Sequence, residues 1–75
     1  MKLDVAQADA EFGPHLKALR EARGLSASGL GRLAGLDPSS VCGWERRGSL
    51  PGFVALLALA DALGVTLEEL MRGTP

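Results

Sequence analysis

Apolar residues recur at helical spacing along most of the chain, in segments separated by glycine or proline. In the middle of the sequence, Leu30, Leu33 and Ala34 have the i, i+3, i+4 spacing of a helix with one buried face. Ser26 precedes this segment and predicts its N-cap. Gly35 follows it and predicts the left-handed residue at which the helix ends. The pattern therefore predicts a short amphipathic helix between these two residues.

A second helix is predicted immediately after this turn. Asp37 is suited to accept hydrogen bonds from the first free N–H groups, and Pro38 fits the first helical position. Val41 and Trp44 lie three residues apart and predict the buried face. Two helices joined by a short turn that contains glycine are typical of the helix-turn-helix unit, whose second helix can lie in the DNA major groove. The same geometry also occurs in helical bundles that bind no nucleic acid.

The N-terminal part of the chain divides at Gly13-Pro14. Residues 1–12 show no clean helical period, and a proline interrupts a helix that runs through it, so we expect an arm or a short extra turn there. A helix is predicted to start at this proline and to bury a stripe of leucine and alanine. The predicted domain boundaries are therefore 1–12 for the arm and 13–72 for the helical domain.

The C-terminal part predicts two more helices. The fourth helix of the chain is expected to bury a stripe made of Phe53, Leu56, Leu59, Ala60 and Leu63. Gly64 predicts its end, and Thr66 and Glu69 have the spacing of a capping box that starts a fifth helix. Five helices, short loops and no strand-like alternation predict an all-α fold, a bundle of five helices.

Composition and charge narrow the class of protein. Seventy-five residues predict one domain with a modest core, and the single cysteine excludes an intramolecular disulfide. No apolar run is long enough to span a bilayer or resembles a secretory signal, so we expect a cytoplasmic protein that binds no membrane. The net charge of −1 argues against simple phosphate binding, but the acidic residues cluster at the two ends and the basic residues in the middle.

Sites for metals, phosphates and catalysis are not indicated. His15 has no cysteine, histidine or acidic residue at ligand spacing, so we expect it on the surface, with no metal. Gly29, Gly31 and Gly35 lack the strand and the lysine of a phosphate loop, and the first two lower the stability of their helix by about 1 kcal/mol each. No nucleophile, base and orienting acid come together. We therefore expect no enzyme, no cofactor and no small-molecule substrate.

The order and spacing of these motifs resemble the lambda-repressor-like (XRE/Cro/cI-type) family of helix-turn-helix domains. The resemblance rests on Phe12-Gly13, Leu16-Lys17-x-Leu19-Arg20-Glu21, Gly24-Leu25-Ser26, Leu30, Ala34-Gly35-Leu36, Val41-x-x-Trp44-Glu45-Arg46, Pro51 and the run Ala60 to Leu70. It implies that the second and third helices read double-stranded DNA. It also implies a transcriptional regulator, by expectation a repressor, that binds a near-palindromic operator as a homodimer.

The resemblance also implies which residues face DNA. The positions concerned are Ser26, Ala27, Arg32, Pro38, Ser39, Ser40, Cys42, Gly43, Arg46 and Arg47. The long base-reading side chains of the family fall at positions 38, 39, 42 and 43, where this chain has only small side chains that make no bidentate contact to a base. The family often has glutamine at position 27, where this chain has alanine. We therefore expect weak binding, or selectivity through DNA shape.

Several of these residues have two interpretations. Arg46 and Arg47 fit phosphate contacts, or cations that the dipole favours at a helix C-terminus. Cys42 fits a small spacer that lets the helix backbone approach DNA, or a redox switch. Glu45 is expected to be structural, pairing with a basic residue of the first helix such as Arg20.

The fourth helix has apolar residues outside its core stripe. We expect Val54, Leu57 and Ala58 to form the contact of a two-fold dimer, although Leu57 also fits packing against the fifth helix or the arm. An alternative function is a protein-interaction module that keeps the fold but has lost DNA readout. The near-neutral charge and the missing base-reading side chains favour this alternative.

Overall fold

The computed structural model of the chain describes residues 5–47 and 50–72, with side chains described from residue 11 onward. Its helices are α1 (Val5–Ala22), α2 (Ala27–Leu33), α3 (Pro38–Arg47), α4 (Phe53–Leu63) and α5 (Leu67–Arg72). No strand occurs in this described part of the chain, so the predicted all-α class with five helices is confirmed. The core is formed by Phe12, Leu16, Leu19, Leu30, Val41, Leu56, Leu59, Ala60, Leu63 and Leu70.

Helix α1 begins earlier than the sequence predicts. It runs without interruption from Val5 through Pro14, so the expected arm was wrong for residues 5–12, which belong to this helix. A proline in a helix interior costs about 3 kcal/mol. Continuing the helix places Phe12 in the core with no exposed surface, and full burial of a phenylalanine contributes about 1.5–3 kcal/mol. The residue before the proline is Gly13, which lacks the Cβ that normally clashes with a proline ring in a helix.

The close approach of α1 to α3 also requires a glycine at position 13. A Cβ added to Gly13 would lie 2.6 Å from the carbonyl oxygen of Glu45 and 3.1 Å from that of Trp44. Both obstacles are backbone atoms near the end of α3, which cannot move aside as a flexible side chain can. Helix α1 therefore packs directly against the backbone of α3.

The turn between α2 and α3 has the predicted geometry. Ser26 Oγ accepts a hydrogen bond from Gly29 N at 2.9 Å at the start of α2. At the end of α2, Gly35 has φ +73°, a left-handed conformation that other residues rarely adopt. The N–H of Leu36 donates to the carbonyl of Gly31 at 2.8 Å, which closes a Schellman motif. The sequence signals for this turn are therefore confirmed.

Helices α2 and α3 meet at a backbone contact. A Cβ added to Gly31 would lie 2.8 Å from Pro38 Cα and 3.1 Å from the carbonyl oxygen of Asp37. Gly31 itself is buried, although the sequence indicates only its low helix propensity. The missing side chain lets the two helices of the helix-turn-helix unit approach more closely than any other residue allows.

Two residues expected in the core are exposed. Leu33 is 60% exposed because the buried face of α2 is formed by Ala27, Leu30, Gly31 and Ala34, and Leu33 lies beside it. Phe53 is 65% exposed although its angular position matches the core stripe of α4. It lies in the first turn of α4, and helical period does not tell how far the neighbouring helices extend along the axis.

The last helix begins at the predicted capping box. Thr66 N donates to Glu69 Oε1 at 2.9 Å, and Glu69 N donates to Thr66 Oγ1 at 3.1 Å. These hydrogen bonds hold the pKa of Glu69 below its ordinary value because they favour the ionised carboxylate. Leu70 of this helix is fully buried in the core. Within the described ranges, no helix has the length and apolar character needed to cross a membrane.

Candidate nucleic-acid interface

The N-terminus of α3 is held by Asp37. Its Oδ1 accepts hydrogen bonds from Ser39 N at 2.9 Å and from Ser39 Oγ at 2.8 Å. Both bonds lower the pKa of Asp37, the backbone bond more than the hydroxyl bond. The cap also limits the hydrogen bonds that Ser39 can make with a ligand. The hydroxyl hydrogen of Ser39 is used inside the protein, so its oxygen can only accept hydrogen bonds from a ligand.

An ion pair between α1 and α3 fixes the orientation of α3. Arg20 Nε donates to Glu45 Oε2 at 2.7 Å, and Arg20 Nη2 donates to Glu45 Oε1 at 3.0 Å. A third bond joins Arg20 Nη1 to the carbonyl of Leu25 at 3.1 Å. The hydrogen bonds to Glu45 raise the pKa of Arg20 above its ordinary value. The expected pairing of Glu45 is confirmed, and this bidentate contact makes both residues part of the scaffold.

One concave surface lies between α1, the start of α2 and α3. It has a volume of about 210 Å³ and is lined by Lys17, Arg20, Ala27, Cys42, Glu45 and Arg46. Arg20 and Glu45 neutralise one another, so the net charge of this surface comes from Lys17 and Arg46. None of the ion pairs among the described residues includes either of these two cations. The surface therefore presents two free cations beside the partly buried thiol of Cys42.

A second concave surface lies on the other side of α3. It also measures about 210 Å³ and is lined by Ser39, Ser40, Gly43, Trp44 and Arg47. Trp44 is partly buried against the core, while Arg47 and Ser39 are exposed. The lining is mostly polar, and apart from Trp44 and Arg47 it consists of small residues.

The remaining predicted DNA-facing residues are distributed around these surfaces. Ser26 is exposed at the N-terminus of α2, where its side chain serves as the cap. Arg32 is exposed in the last turn of α2, away from both concave surfaces. Pro38 is partly buried and lies against Gly31. Whether these residues contact DNA stays a prediction.

Lys17 lines this candidate surface, although the sequence analysis did not predict it there. The sequence shows it only as part of a basic ridge with Arg20 and Arg23, which is typical of a solvated helix face. In the structure, Arg20 is taken up by Glu45, and Arg23 donates to the carbonyl of Leu19 at 3.2 Å. Lys17 is left facing the same concave surface as Arg46. Lys17 lies three residues before Arg20 and therefore on the same side of α1. Because Glu45 of α3 was expected to pair with Arg20, this spacing could have predicted that Lys17 also faces α3.

An apolar surface is exposed on α4. Phe53 is 65% exposed, Val54 76% and Leu57 44%, while Ala58 is partly buried. The first three lie within the first two turns of the helix. Two of the three residues predicted for a dimer contact are therefore exposed, and the structure adds Phe53 to them.

No cluster for a metal ion occurs in residues 11–47 and 50–72, where side chains are described. His15 is half-buried rather than on the surface, and its Nε2 lies 3.9 Å from Glu11 Oε2. Its Nδ1 has no hydrogen-bond partner. Glu11 precedes His15 by one helical turn, so the expectation that His15 has no acidic residue at such spacing was wrong.

The helix-turn-helix unit formed by α2 and α3 defines the class of protein. The sequence pattern of the helix-turn-helix domain family matches residues 11–72, which is most of the chain. The chain therefore belongs to the helix-turn-helix domain family, and the family expected from its motifs is confirmed.

A solved structure of a particular protein is similar to this chain over most of its length. It is the restriction-modification controller protein C.AhdI from Aeromonas hydrophila, with 44% sequence identity and a TM-score of 0.76. The similarity covers 83% of this chain and 94% of that chain. The comparison with curated proteins found no match.

Proposed function

We propose that this chain is a non-enzymatic, sequence-selective transcriptional regulator that places α3 in the major groove of double-stranded DNA. The observation that carries the proposal is the exposed side of α3, where unpaired cations border small residues. A recognition helix needs both features, since cations bind phosphates and small residues let the helix backbone approach base edges. Membership in the helix-turn-helix family and the similarity to a restriction-modification controller support this proposal.

The proposed backbone contacts are made by Lys17, Arg32 and Arg46. All are exposed, and none takes part in an ion pair among the described residues. Local charge matters more here than the net charge of −1, because screening limits exposed charges to about 10 Å at 0.1 M salt. Each phosphate that is neutralised contributes about 0.9 to the dependence of log affinity on log salt concentration. We therefore expect binding that falls steeply as salt rises.

Base readout is proposed for the face that begins at Ser39 and Ser40. The Ser39 oxygen is left as an acceptor by its bond to Asp37, which suits an amino group of cytosine or adenine. Cys42 and Gly43 are too short to reach far and act as spacers. Sequence-dependent DNA shape then adds to selectivity at positions that no side chain touches.

We propose that a second copy of the chain covers the exposed surface of α4. Phe53, Val54 and Leu57 are apolar and exposed, and their i, i+1, i+4 spacing places them on one side of α4. Burying them against the same residues of a second copy gives a two-fold contact. A dimer places two α3 helices roughly 34 Å apart, which is one turn of DNA. A dimer on its operator excludes other proteins from that site, so we propose repression in the cytoplasm as its action.

The experiment that tests this function is selection of bound duplexes from a random DNA library at moderate salt. The best duplex is then titrated at two salt concentrations. We expect an enriched near-palindrome and an affinity that falls with salt. Failure to enrich any sequence, with only weak general binding, would contradict the proposal.

Dimerisation is tested separately by sedimentation equilibrium of the wild type and of Leu57→Glu. We expect the wild type to associate and the variant, which buries a carboxylate in the contact, to remain monomeric. Asp61→Lys is the matched control, because it changes charge at an exposed position of the same helix outside the apolar surface. A wild type that stays monomeric at high concentration and when bound to DNA would contradict the dimer.

A second candidate function is a protein-interaction module on the same fold. It is favoured by the apolar α4 surface, by the net charge of −1, and by the absence of long side chains at positions 38, 39, 42 and 43. In this case a partner protein covers α4, and association does not depend on salt. The DNA selection distinguishes the two, since this candidate gives no enriched duplex.

A further inference from the structure

The guanidinium group of Arg47 lies over Gly43. A Cβ built at Gly43 would be 3.5 Å from Arg47 Nη2, 3.6 Å from its Cζ and 3.7 Å from its Nε. The two residues are four positions apart on α3, and long side chains of a helix lean towards its N-terminus. Arg47 therefore covers the helix surface one turn before its own Cα. Its guanidinium lies in the space that a side chain longer than that of alanine would fill at position 43.

We propose that Arg47 reads a guanine in the major groove and is the main specificity-determining residue of this chain. The inference rests on the proposed function, because it requires α3 to lie in that groove. It differs from both interpretations that the sequence offers for Arg47, a phosphate contact or a cation favoured by the helix dipole.

The chemistry of the surface around Arg47 fits a guanine edge. Guanine presents two acceptors, O6 and N7, in the major groove, and the planar guanidinium group donates to both at once. Arg47 is the one charged residue in the lining of its concave surface, beside Ser39, Ser40 and Trp44. It takes part in no ion pair among the described residues, so its donors are available.

The position of Arg47 differs from that of the neighbouring Arg46. Arg46 lines the surface that faces α1, together with Lys17, where two cations converge at the edge of α3. Arg47 instead lies with the residues of the first two turns of α3, Ser39, Ser40 and Gly43. In a helix docked by its N-terminal half, that face is directed at base edges and the flanking surfaces at phosphates.

The test compares Arg47→Ala with the matched control Arg46→Ala, each used in the same library selection as the wild type. We expect a guanine at one position of each wild-type half-site. Arg47→Ala loses that preference and binds the selected duplex roughly 5- to 150-fold more weakly, while its salt dependence is unchanged. Arg46→Ala keeps the guanine, weakens binding to all duplexes alike and lowers the salt slope by about 1.

A second variant leaves the charge of the chain intact. Arg47→Lys keeps the positive charge but lacks the planar pair of donors, so we expect it to lose the same guanine preference. Arg47 is exposed in the last turn of α3, so both of its variants keep the fold, as far-ultraviolet circular dichroism will show.

Each outcome decides the inference. Retention of the guanine by Arg47→Ala would overturn it. An equal loss of affinity for the selected duplex and for one lacking that guanine would assign Arg47 to a phosphate and would also overturn it, leaving the proposed function intact. A wild-type chain that enriches no duplex would overturn both.

Discussion

Replacing Gly31 by alanine tests the contact on which the helix-turn-helix unit depends. By helix propensity alone, the substitution stabilises α2 by about 1 kcal/mol. In the structure, however, the new Cβ would lie 2.8 Å from Pro38 Cα and 3.1 Å from the carbonyl oxygen of Asp37. Both distances are shorter than ordinary contacts between such atoms, and both obstacles are backbone.

The size of the effect follows from these two terms. Overpacking of a close-packed contact costs about 1–3 kcal/mol, and we take the upper half of that range because no side chain can move aside. Subtracting the gain in propensity leaves a net destabilisation of about 1–2 kcal/mol for Gly31→Ala. In a domain of this size, each kcal/mol lowers the melting temperature by about 4–8 °C.

The matched control is Gly43→Ala, a change of the same kind on the exposed side of α3. Its Cβ would meet only the flexible end of Arg47, at 3.5 Å. We expect this variant to be more stable than the wild type by about 0.5–1 kcal/mol. Urea unfolding followed by circular dichroism measures both variants. If Gly31→Ala were stabilised as much as Gly43→Ala, the close contact between α2 and α3 would be refuted.

Two further substitutions test other contacts of the scaffold. Glu45→Ala leaves Arg20, whose side chain is only 14% exposed, without its carboxylate, so we expect the free energy of unfolding in urea to fall by about 1.5–3 kcal/mol. The control Glu68→Ala breaks the exposed pair with Arg72, and we expect a loss of less than about 1 kcal/mol. Equal losses in the two variants would contradict this prediction. Asp37 has a folded-state pKa below its ordinary value, so its stabilising contribution is present above that value and is lost as pH falls through the folded pKa. We therefore expect Asp37→Asn to show a weaker fall in stability on acidification than the wild type, measured by urea unfolding, and an unchanged acid dependence would show that the cap does not titrate as described.

Signals that act within a few residues were sufficient to predict much of this fold. The cap at Ser26, the left-handed Gly35 and the capping box of Thr66 and Glu69 each depend on neighbours in sequence, and the structure confirms all of them. The pairing of Arg20 with Glu45 was also foreseen, although its residues are far apart in sequence.

The sequence predictions failed where contacts between residues far apart in the chain determine the structure. A local rule starts the first helix at Pro14, but α1 begins at Val5 and continues through the proline, with Phe12 buried in the core. Helical period places Leu33 and Phe53 in the core, but it does not fix which side of α2 faces the core, nor where the neighbours of α4 end. Low helix propensity marks Gly31 as a weakness, whereas contact with α3 requires it.

The candidate site was only partly accessible from sequence for the same reason. The residues of α3 were identified by their order, but their division into two surfaces depends on how α1 packs against that helix. Lys17 joins the site only because Glu45 engages Arg20. The guanidinium group of Arg47 lies over the open space at Gly43. Hydrophobic periodicity does not predict the direction of such a polar side chain.

The most direct test of the central claim is the change in backbone amide chemical shifts when the selected duplex is added to the isotope-labelled chain. We predict that the largest changes occur at the start of α2, around Ser26 and Ala27, and along α3 from Ser39 to Arg47. Changes confined to the α4 surface around Val54 and Leu57, or no changes at all, would contradict the placement of α3 in the major groove.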